Sequence, residues 1–551
     1  TAPSTDAAPT IATEALVAAA LHGAAESMGE ALRATAVSVN VRDRLDYSCG
    51  LLDAEGALIV NAPHLPVHLG ALGACVRAVA AALDLQPGDV AVTNHPAFGG
   101  SHLPDVTVVT PIFERAEGGA LLGYAATRAH HAEIGGIAPG SMPPFAASLA
   151  EEAVVLPPTH VVRRGVECMD AVAALLREAP HPTRALQQNL DDLRAQVAAN
   201  HTGVLRMRAT ATRFGSAFMP ALATLRARSC QAAMAALAHV PEGSVTETLD
   251  DGTPIRVSLS RSAAREAGGP LAFEPRARRV TIDFTGSGAV HAGNFNAPMA
   301  VIRSATLYAL RVMAGAHDAI RAGVLPLNEG FLDAIDLVVP PGFLNPPFTT
   351  DPTHCPAVGA GNTETSQRVV DALLRLLGGA ACSQGTMNNL IFGSGRFGFY
   401  ETIAGGSGAT EQGAGESGVH THMTNTRITD AELLESRYPV RLVRFGLRRG
   451  SGGAGIHDGG DGIERELLFL EPVTCSIIGQ HRASGPYGMA GGRPGAVGEQ
   501  WLVRGQIRMP LAGVGTTELQ AGDRILIRTP GGGGWGSLAD GVLEDDQADN
   551  S

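Results

Sequence analysis

The alternation of hydrophobic and polar residues changes character along the chain, and each change predicts a different kind of element. Residues 11–32 are rich in alanine and leucine, with acidic residues interspersed, and they predict an amphipathic helix. Residues 48–62, SCGLLDAEGALIVNA, predict a β-hairpin that turns at residues 53–56. A second helix is predicted at residues 69–83, and it is followed by strands near Val90, Val106 and Ala120.

The middle of the chain is first helical and then mixed. From residue 181 to 237 the pattern is helical and rich in charge, which predicts a long helical arm or hairpin. Strand-like runs return in SVTETLDDGTPIRVSLS, whose Asp-Gly pair marks a hairpin turn, and continue at residues 279–284. Two further helices are predicted at residues 300–313 and 366–377, the second ended by two glycines.

Beyond residue 388 the chain is strand-like and rich in glycine, as in AGGSGATEQGAGESG and PGGGGWG. These segments are too polar and too interrupted for helices, so they predict strands joined by long loops. We therefore expect an α+β, multi-layer fold, β-rich with glycine-rich loops, with a helical arm in the middle of the chain and a β-rich C-terminal half. The expected units are an N-terminal α/β domain (1–180), the helical arm (181–240), a central α/β domain (241–390), a β-rich glycine-loop domain (391–540) and a frayed acidic tail (541–551).

Composition narrows the class of function. The formal net charge of −13 argues against a broad surface for nucleic acid or an anionic membrane. The sequence contains no lysine, so all 41 cationic residues are arginines. This excludes a Schiff-base lysine and the lysine of a Walker phosphate loop. If ATP is used, we expect another chain to bind it.

The seven cysteines are widely scattered and include no CxxC pair, which is typical of reduced cysteines in a cytoplasmic protein. No apolar run reaches the ~18 residues of a membrane span. The first residue, Thr1, indicates either a lost initiator methionine or a cut from a longer polypeptide.

Potential metal ligands are concentrated in NHPAFGGSHLPD and RAHHAEIGG, two segments separated by a predicted strand. They place five candidate ligands in one short glycine-interrupted region, namely His95, His102, Asp105, His130 and His131. Imidazole and carboxylate groups are the ligands of a catalytic divalent metal. We interpret the region as a metal-assisted active site, the alternative being a hydrogen-bonded structural cluster.

Longer strings resemble the hydantoinase B/oxoprolinase family from about residue 38 to 536. They include RLDYSCGLLDAEG, NHPAFGGSHLPDVTVVTP, HHAEIGGIAPGSMPP, SGVHTHMTNTRITDAELLESRYPV and TPGGGGWG. The SGVHTHMTNTRITD and LLESRYPV strings resemble most closely the C-terminal half of the oxoprolinases. Several of these strings exceed ten residues, so the resemblance is specific.

That resemblance implies ATP-dependent opening of a cyclic amide. A kinase partner of the hydantoinase A type, similar to actin-fold kinases, would use ATP and Mg²⁺ to phosphorylate the lactam oxygen. This chain would then hydrolyse the activated intermediate, giving glutamate from 5-oxo-L-proline, a step of glutathione metabolism. The implied assembly is a hetero-oligomer such as a dimer of heterodimers, with a small cyclic-amide substrate and neither nucleic acid nor membrane as partner.

The resemblance also implies a ligand set for one divalent transition metal. It comprises Asp46, His102, Asp105 and one of His130 and His131; we take His130 as the ligand and His131 as catalytic. Such a mixed set suits Zn²⁺, Mn²⁺ or Fe²⁺. Glu133 is expected to be a general base or to hold a ligand in place.

Other polar residues are expected to contact the substrate. His420 and His422 alternate on an extended segment with Asn425 and Arg427, and the arginine suits a carboxylate or phosphate. The alternative for this segment is a polar network between domains. Two histidines four residues apart and one turn residue complete the expected substrate contacts: His64, His68 and Asn294.

Three other functions compete with the hydrolase. The first is the large subunit of an ATP-dependent carboxylase acting on acetone or acetophenone, and the second is a subunit of an N-methylhydantoinase. The third is a non-catalytic scaffold subunit. The length of 551 residues favours the hydrolase over the longer carboxylase subunits.

Overall fold

The computed structural model describes residues 10–62, 65–261, 280–316, 320 and 325–538. The predicted frayed tail, residue 279 of the predicted strand and His64 lie outside the described residues. The α-helices are α1 (Ile11–Thr35), α2 (Val39–Arg42), α3 (Pro66–Ala82), α4 (Leu149–Glu152), α5 (Asp170–Glu178), α6 (Leu186–Phe214), α7 (Phe218–Leu237), α8 (Met299–Met313), α9 (Ser366–Leu377) and α10 (Ala431–Arg437).

The described part of the chain contains four sheets, which are built from the following strands. They are β1 (Tyr47–Leu52), β2 (Leu58–Asn61), β3 (Val90–Thr93), β4 (Asp105–Arg115), β5 (Gly118–His130), β6 (Thr159–Arg163), β7 (Val166–Glu167), β8 (Gly243–Thr248), β9 (Pro254–Arg261), β10 (Val280–Asp283), β11 (Ile335–Val338), β12 (Asn389–Ser394), β13 (Phe397–Glu401), β14 (Val440–Arg448), β15 (Gly462–Phe469), β16 (Val473–Ile478), β17 (Glu499–Arg504), β18 (Ile507–Pro510), β19 (Val514–Leu519) and β20 (Arg524–Arg528).

The first sheet is antiparallel, with the strand order β2-β1-β5-β4-β3-β6-β7. Its hairpin β1–β2 turns at the predicted position, where the Asp53 amide donates to the carbonyl of Ala57. Apolar side chains of α1, α6 and α7 pack in one cluster with those of β1 and β5. The sheet therefore has a helical layer over it.

The predicted helical arm is the pair α6–α7, and it lies against the sheet and α1. Polar residues of the predicted arm form a buried stripe on α6. Gln196 donates to the carbonyl of Val106, and Asn200 donates to the carbonyl of Val108. A buried amide with a partner costs little, so a polar helix face can pack on a sheet.

The second sheet has the order β11-β10-β9-β8. Strands β10 and β11 run parallel, and the other neighbouring pairs of this sheet are antiparallel. Helices α8 and α9 share the largest apolar cluster with this sheet and with α3. Helix α9 ends at Gly378, whose φ of +70° suits glycine. A π-helix, Gly361–Thr365, leads directly into α9.

Two antiparallel sheets form the C-terminal half, β13-β12-β16-β19 and β14-β15-β20-β17-β18. Between them lies an apolar cluster that includes Phe392, Phe399 and Phe469. The pattern did not predict the short helix α10, which Asp430 caps by accepting from two backbone amides.

The PGGGGWG segment packs against the backbones of other glycine-rich loops. A Cβ at Gly532 would lie 1.9 Å from the carbonyl oxygen of Ser407, and one at Gly533 would lie 2.0 Å from that of Tyr487. No side chain fits at these distances. The glycines therefore allow the backbones of these loops to pack closely.

The α+β class with several sheets is confirmed. The division into separate domains stays a prediction, because the largest apolar cluster takes members from Leu52 to Ile478. Among the described residues, no helix combines the length and the hydrophobicity that a membrane crossing requires.

Candidate metal centre and active site

The pairing of β4 with β5 brings together two potential ligands that are 25 positions apart. Asp105, the first residue of β4, lies opposite His130, the last residue of β5. His102 precedes β4 on a tight turn in which the Asp105 amide donates to the His102 carbonyl. The preceding loop needs Gly99, because its φ is +80° and a Cβ would lie 2.6 Å from the backbone of Cys75.

The side chains of His102, Asp105 and His130 form a buried triad. One potential ligand atom from each lies within 4.8 Å of the others. Asp105 Oδ1 is 3.1 Å from His102 Nε2 and 3.3 Å from His130 Nδ1. In the described part of the chain, this triad is the group of His, Cys, Asp or Glu side chains that lie close enough together to hold a metal ion.

Several atoms of the triad are buried and, despite the short distances within it, make no hydrogen bond of ordinary geometry among the described residues. These are both ring nitrogens of His102, Oδ1 of Asp105 and Nε2 of His130. A buried polar atom without a partner is costly. A divalent cation bound by Asp105 Oδ1 and by one ring nitrogen of each histidine would offset part of this cost, and imidazole and carboxylate are suitable donors, so the residues present fit a metal.

The other oxygen of Asp105 is held by neighbouring side chains. The Ser101 hydroxyl donates to Oδ2 at 2.6 Å, and His68 Nε2 lies 3.2 Å from the same atom. The other ring nitrogen of His68 lies 3.0 Å from the hydroxyl of Ser48. His68, predicted as a substrate contact, thus orients a candidate ligand in the structure.

The surroundings favour the metal-binding forms of Asp105 and His130, as the directions of their pKa shifts show. Burial alone would raise the pKa of Asp105, but His102 and His68 outweigh it and hold the pKa well below its usual range. Burial lowers the pKa of His130, against the opposing charge of Asp46. An ionised aspartate and a neutral histidine are the forms that bind metal.

Asp46 is buried beside the triad, and its backbone carbonyl accepts from the His130 amide at 2.9 Å. It lines the same cavity as the triad and His68. The cavity volume is about 10 Å³, room for about one ion or water molecule. The remaining wall consists of Leu65, Val67, Asn362, Thr363, Met387, Tyr400, Thr402 and Thr424.

Other predicted site residues lie outside this cavity. The ring nitrogens of His131 lie 2.9 Å from Asn189 Oδ1 and 3.2 Å from Gln196 Oε1, both on α6. His95 accepts from the amide of Ala97 and caps a short 3₁₀-helix.

The carboxylate of Glu133 is also engaged by residues outside the cavity. Its carboxylate accepts from the Arg184 side chain at 2.9 Å and the Arg184 amide at 2.6 Å, and from the Thr183 hydroxyl at 2.8 Å. Neither Glu133 nor His131 is among the residues that line the cavity. In this geometry both hold the loop after β5 against the start of α6.

The segment 420–427 reaches the cavity through Thr424. His420 Nδ1 is buried without a partner among the described residues, and burial, then the charge of Arg44, lowers the pKa of His420 to about 4. His422 Nε2 lies 3.0 Å from Asp371 Oδ1. Asn425 and Arg427 are exposed at the surface.

Asn294, predicted as a substrate contact or a turn residue, is buried in the structure. Its amide nitrogen donates to the carbonyl of Pro143 at 2.9 Å, and its backbone carbonyl accepts from Gly361 at the start of the π-helix. It therefore supports the cavity wall that the π-helix provides.

The contributions of Tyr400 and of the π-helix were not predicted from sequence. The Tyr400 ring stacks on His130 with centroids 4.9 Å apart. The π-helix places Asn362 and Thr363 in the cavity wall and Glu364 beside it. The only signal in the sequence was the polar run GNTETSQ, and polarity alone does not distinguish a π-helix from a loop. In the structure the whole run is buried.

Comparison with solved structures places this fold among ATP-dependent enzymes of two kinds. The ATP-dependent caprolactamase from Pseudomonas jessenii matches with a TM-score of 0.81 and 24% identity, over 96% of this chain and 92% of that chain. The acetone carboxylase nucleotide-free structure matches with a TM-score of 0.79 and 18% identity, over 95% and 75%. At these identities the likeness concerns the fold alone.

Sequence comparison is more specific. The chain is 41% identical over 532 residues to 5-oxoprolinase 1 of Arabidopsis thaliana, which covers 94% of this chain. It spans 41% of the length of that relative. Residues 12–538 match the Hydantoinase B/oxoprolinase family, and the chain belongs to that family. The resemblance noted from the motifs is confirmed.

Proposed function

We propose that this chain is the hydrolytic component of an ATP-dependent cyclic-amide hydrolase that opens 5-oxo-L-proline or a related lactam. The observation that carries the proposal is the buried His102–Asp105–His130 triad with its unpartnered ligand atoms. The 41% identity to a 5-oxoprolinase supports the reaction class. With 5-oxo-L-proline the product is glutamate.

We propose that Asp46, His102, Asp105 and His130 hold one divalent transition metal, zinc, manganese or iron. When bound, such a metal lowers the pKa of water and polarises the group under attack, which makes a nucleophile available at neutral pH. His68 and Ser101 fix the Asp105 carboxylate, and Tyr400 covers His130.

Activation of the lactam is assigned to a partner. An amide is a poor electrophile because its nitrogen donates into the carbonyl, and phosphorylation of the oxygen turns it into a leaving group. This chain has no lysine for a Walker loop. We propose that a hydantoinase A-like kinase, as a subunit or a fused domain, uses ATP and Mg²⁺ for this step in a hetero-oligomer. The seven free cysteines fit a cytoplasmic setting.

We propose that substrate contacts come from His420, Asn425 and Arg427, on the segment whose Thr424 lines the cavity. The exposed guanidinium of Arg427 is suited to a carboxylate or phosphate oxygen. His131 and Glu133 are reassigned to positioning roles, because their side chains are engaged with α6 and Arg184.

The test uses the complex of this chain with its kinase partner. We expect phosphate release and ring-opened product from ATP and 5-oxo-L-proline, with neither formed when either chain is omitted. A second arm offers acetone and bicarbonate in place of the lactam. Turnover in that arm, with none in the lactam arm, would replace the hydrolase with the carboxylase alternative.

A further inference from the structure

Glu364, on the π-helix, is a buried carboxyl group joined to the metal-site wall by direct contacts. Its Oε1 accepts from the Met387 amide at 3.0 Å and from Asn389 Nδ2 at 2.7 Å. Met387 lines the cavity. Asn389 Oδ1 accepts from the hydroxyl of Tyr400, the ring that stacks on His130.

The second oxygen of Glu364 is available. Oε2 is buried and has no hydrogen-bond partner of ordinary geometry among the described residues. The neighbouring Asn362 Oδ1, in the cavity wall itself, is also buried without a partner. Two such atoms on one π-helical turn indicate a group that binds a ligand, since π-helical turns occur frequently at functional sites.

Glu152 provides a useful contrast. It is equally buried, and burial raises the pKa of both Glu152 and Glu364 to about 7. However, both oxygens of Glu152 accept backbone amides, from Val358 at 3.0 Å and Gly359 at 2.6 Å. Glu152 is therefore committed to structure, whereas one oxygen of Glu364 has no hydrogen-bond partner of ordinary geometry among the described residues.

The proposed reaction requires a proton donor for the ring nitrogen. Addition of water to the phosphorylated lactam gives a tetrahedral carbon bearing a hydroxyl, the phosphate oxygen and the ring nitrogen. If the carbon–oxygen bond to phosphate breaks, the lactam returns with an oxygen from water and the ATP is wasted. Phosphate is a better leaving group than an unprotonated amine, so ring opening needs the nitrogen to be protonated.

We propose that Glu364 is the general acid that protonates the ring nitrogen and so directs the intermediate to ring opening. The carbon–nitrogen bond breaks, its electron pair stays on nitrogen, and that nitrogen takes the proton of the Glu364 carboxyl. The hydroxyl loses its proton to solvent as the carbonyl re-forms, which leaves an acyl phosphate. Water then converts the acyl phosphate to the carboxylate and phosphate, and Glu364 is reprotonated from solvent. This inference rests on the proposed function.

The experiment measures how the tetrahedral intermediate divides between ring opening and return to the lactam. It uses the complex of this chain with its kinase partner, in ¹⁸O-labelled water with ATP and 5-oxo-L-proline. Wild type should release about one phosphate per ring opened and leave the recovered lactam unlabelled. E364Q should open rings about a hundredfold or more slowly. It should still release phosphate and should accumulate ¹⁸O in the recovered lactam.

Two variants separate the acid role from a structural one. E152Q removes an equally buried carboxyl and should keep the wild-type phosphate-to-product ratio. E364D, which retains an acid, should show a ratio between those of wild type and E364Q.

The inference is overturned if E364Q keeps the wild-type ratio, or if it loses phosphate release and ring opening together with no label in the lactam. A wild-type complex that consumes ATP without opening any ring would instead overturn the proposed function, and this inference with it.

Discussion

Replacing Glu364 with glutamine should stabilise the protein more at alkaline than at acidic pH. Burial, opposed by the Thr386 hydroxyl and the Met387 amide, raises the pKa of Glu364 from 4.5 to about 7. The folded chain therefore holds this proton more tightly than the unfolded chain. Between these two pKa values the folded state binds more protons, so stability falls as the pH rises.

The size of the effect follows from the same two values. Each pKa unit corresponds to about 1.4 kcal/mol, so ionising Glu364 in the folded protein costs about 3 kcal/mol once the pH exceeds its folded pKa. Glutamine keeps an oxygen for the Met387 amide and does not ionise. The free energy of unfolding of E364Q relative to wild type should thus increase by about 3 kcal/mol from about pH 4.5 to about pH 8.

The assay is urea unfolding of both proteins at several pH values across this window. Glu152 titrates similarly but is present in both proteins, so its contribution cancels in the difference. A difference between wild type and E364Q that stays constant with pH would contradict this prediction. It would mean that Glu364 is not a buried carboxyl with a raised pKa.

Three further outcomes are expected. Gly532→Ala should lower the free energy of unfolding by about 1–3 kcal/mol or more, because its Cβ would lie 1.9 Å from the Ser407 carbonyl oxygen. In the same thermal unfolding assay Gly413→Ala should be near neutral, because its Cβ would meet no atom within 4 Å. Arg465→Met should lower the free energy of unfolding by about 3–5 kcal/mol, because it leaves Glu401 buried without the guanidinium that contacts it at 2.6 Å. A decrease under about 1 kcal/mol in urea unfolding would contradict this. Elemental analysis of protein purified without chelators should find about one divalent transition metal per chain, and chelation should lower the unfolding temperature.

Much of the candidate metal site could be predicted from sequence because three of its proposed ligands, His102, Asp105 and His130, lie close together in the chain. Antiparallel neighbouring strands return to the same end of a sheet, so the loop before β4 and the end of β5 had to meet there. The structure does bring Asp105 and His130 together, in register. The choice between His130 and His131 also has a local reason, since successive side chains of a strand point to opposite faces.

The rest of the site depends on contacts between distant parts of the chain. Tyr400 and the π-helix reach the triad only through the packing of the central and C-terminal sheets, which no local pattern encodes. Glu133 illustrates the converse, because its position beside the histidines suggested chemistry. Its carboxylate is occupied by Arg184, 51 residues further along the chain.

The same distinction applies to the fold. Helices α1, α8 and α9 and the hairpins follow from local periodicity and turn residues. The burial of α6 was not evident, because its polar stripe is satisfied by carbonyls of β4 that lie about 90 residues earlier in the chain. Likewise, a run of glycines in the sequence indicates a loop, but it does not indicate which other backbone segments that loop packs against.

Under the proposed function, ring opening depends on the buried triad, whereas lactam activation does not. The most direct measurement is the rate of ring-opened product formed by the complex carrying His102→Ala, alongside its rate of ATP consumption. We expect product formation to fall about a thousandfold or more while ATP consumption by the partner persists. His354→Ala, at an exposed histidine, should leave both rates unchanged. A His102→Ala complex that keeps more than about a tenth of wild-type ring opening would contradict the claim.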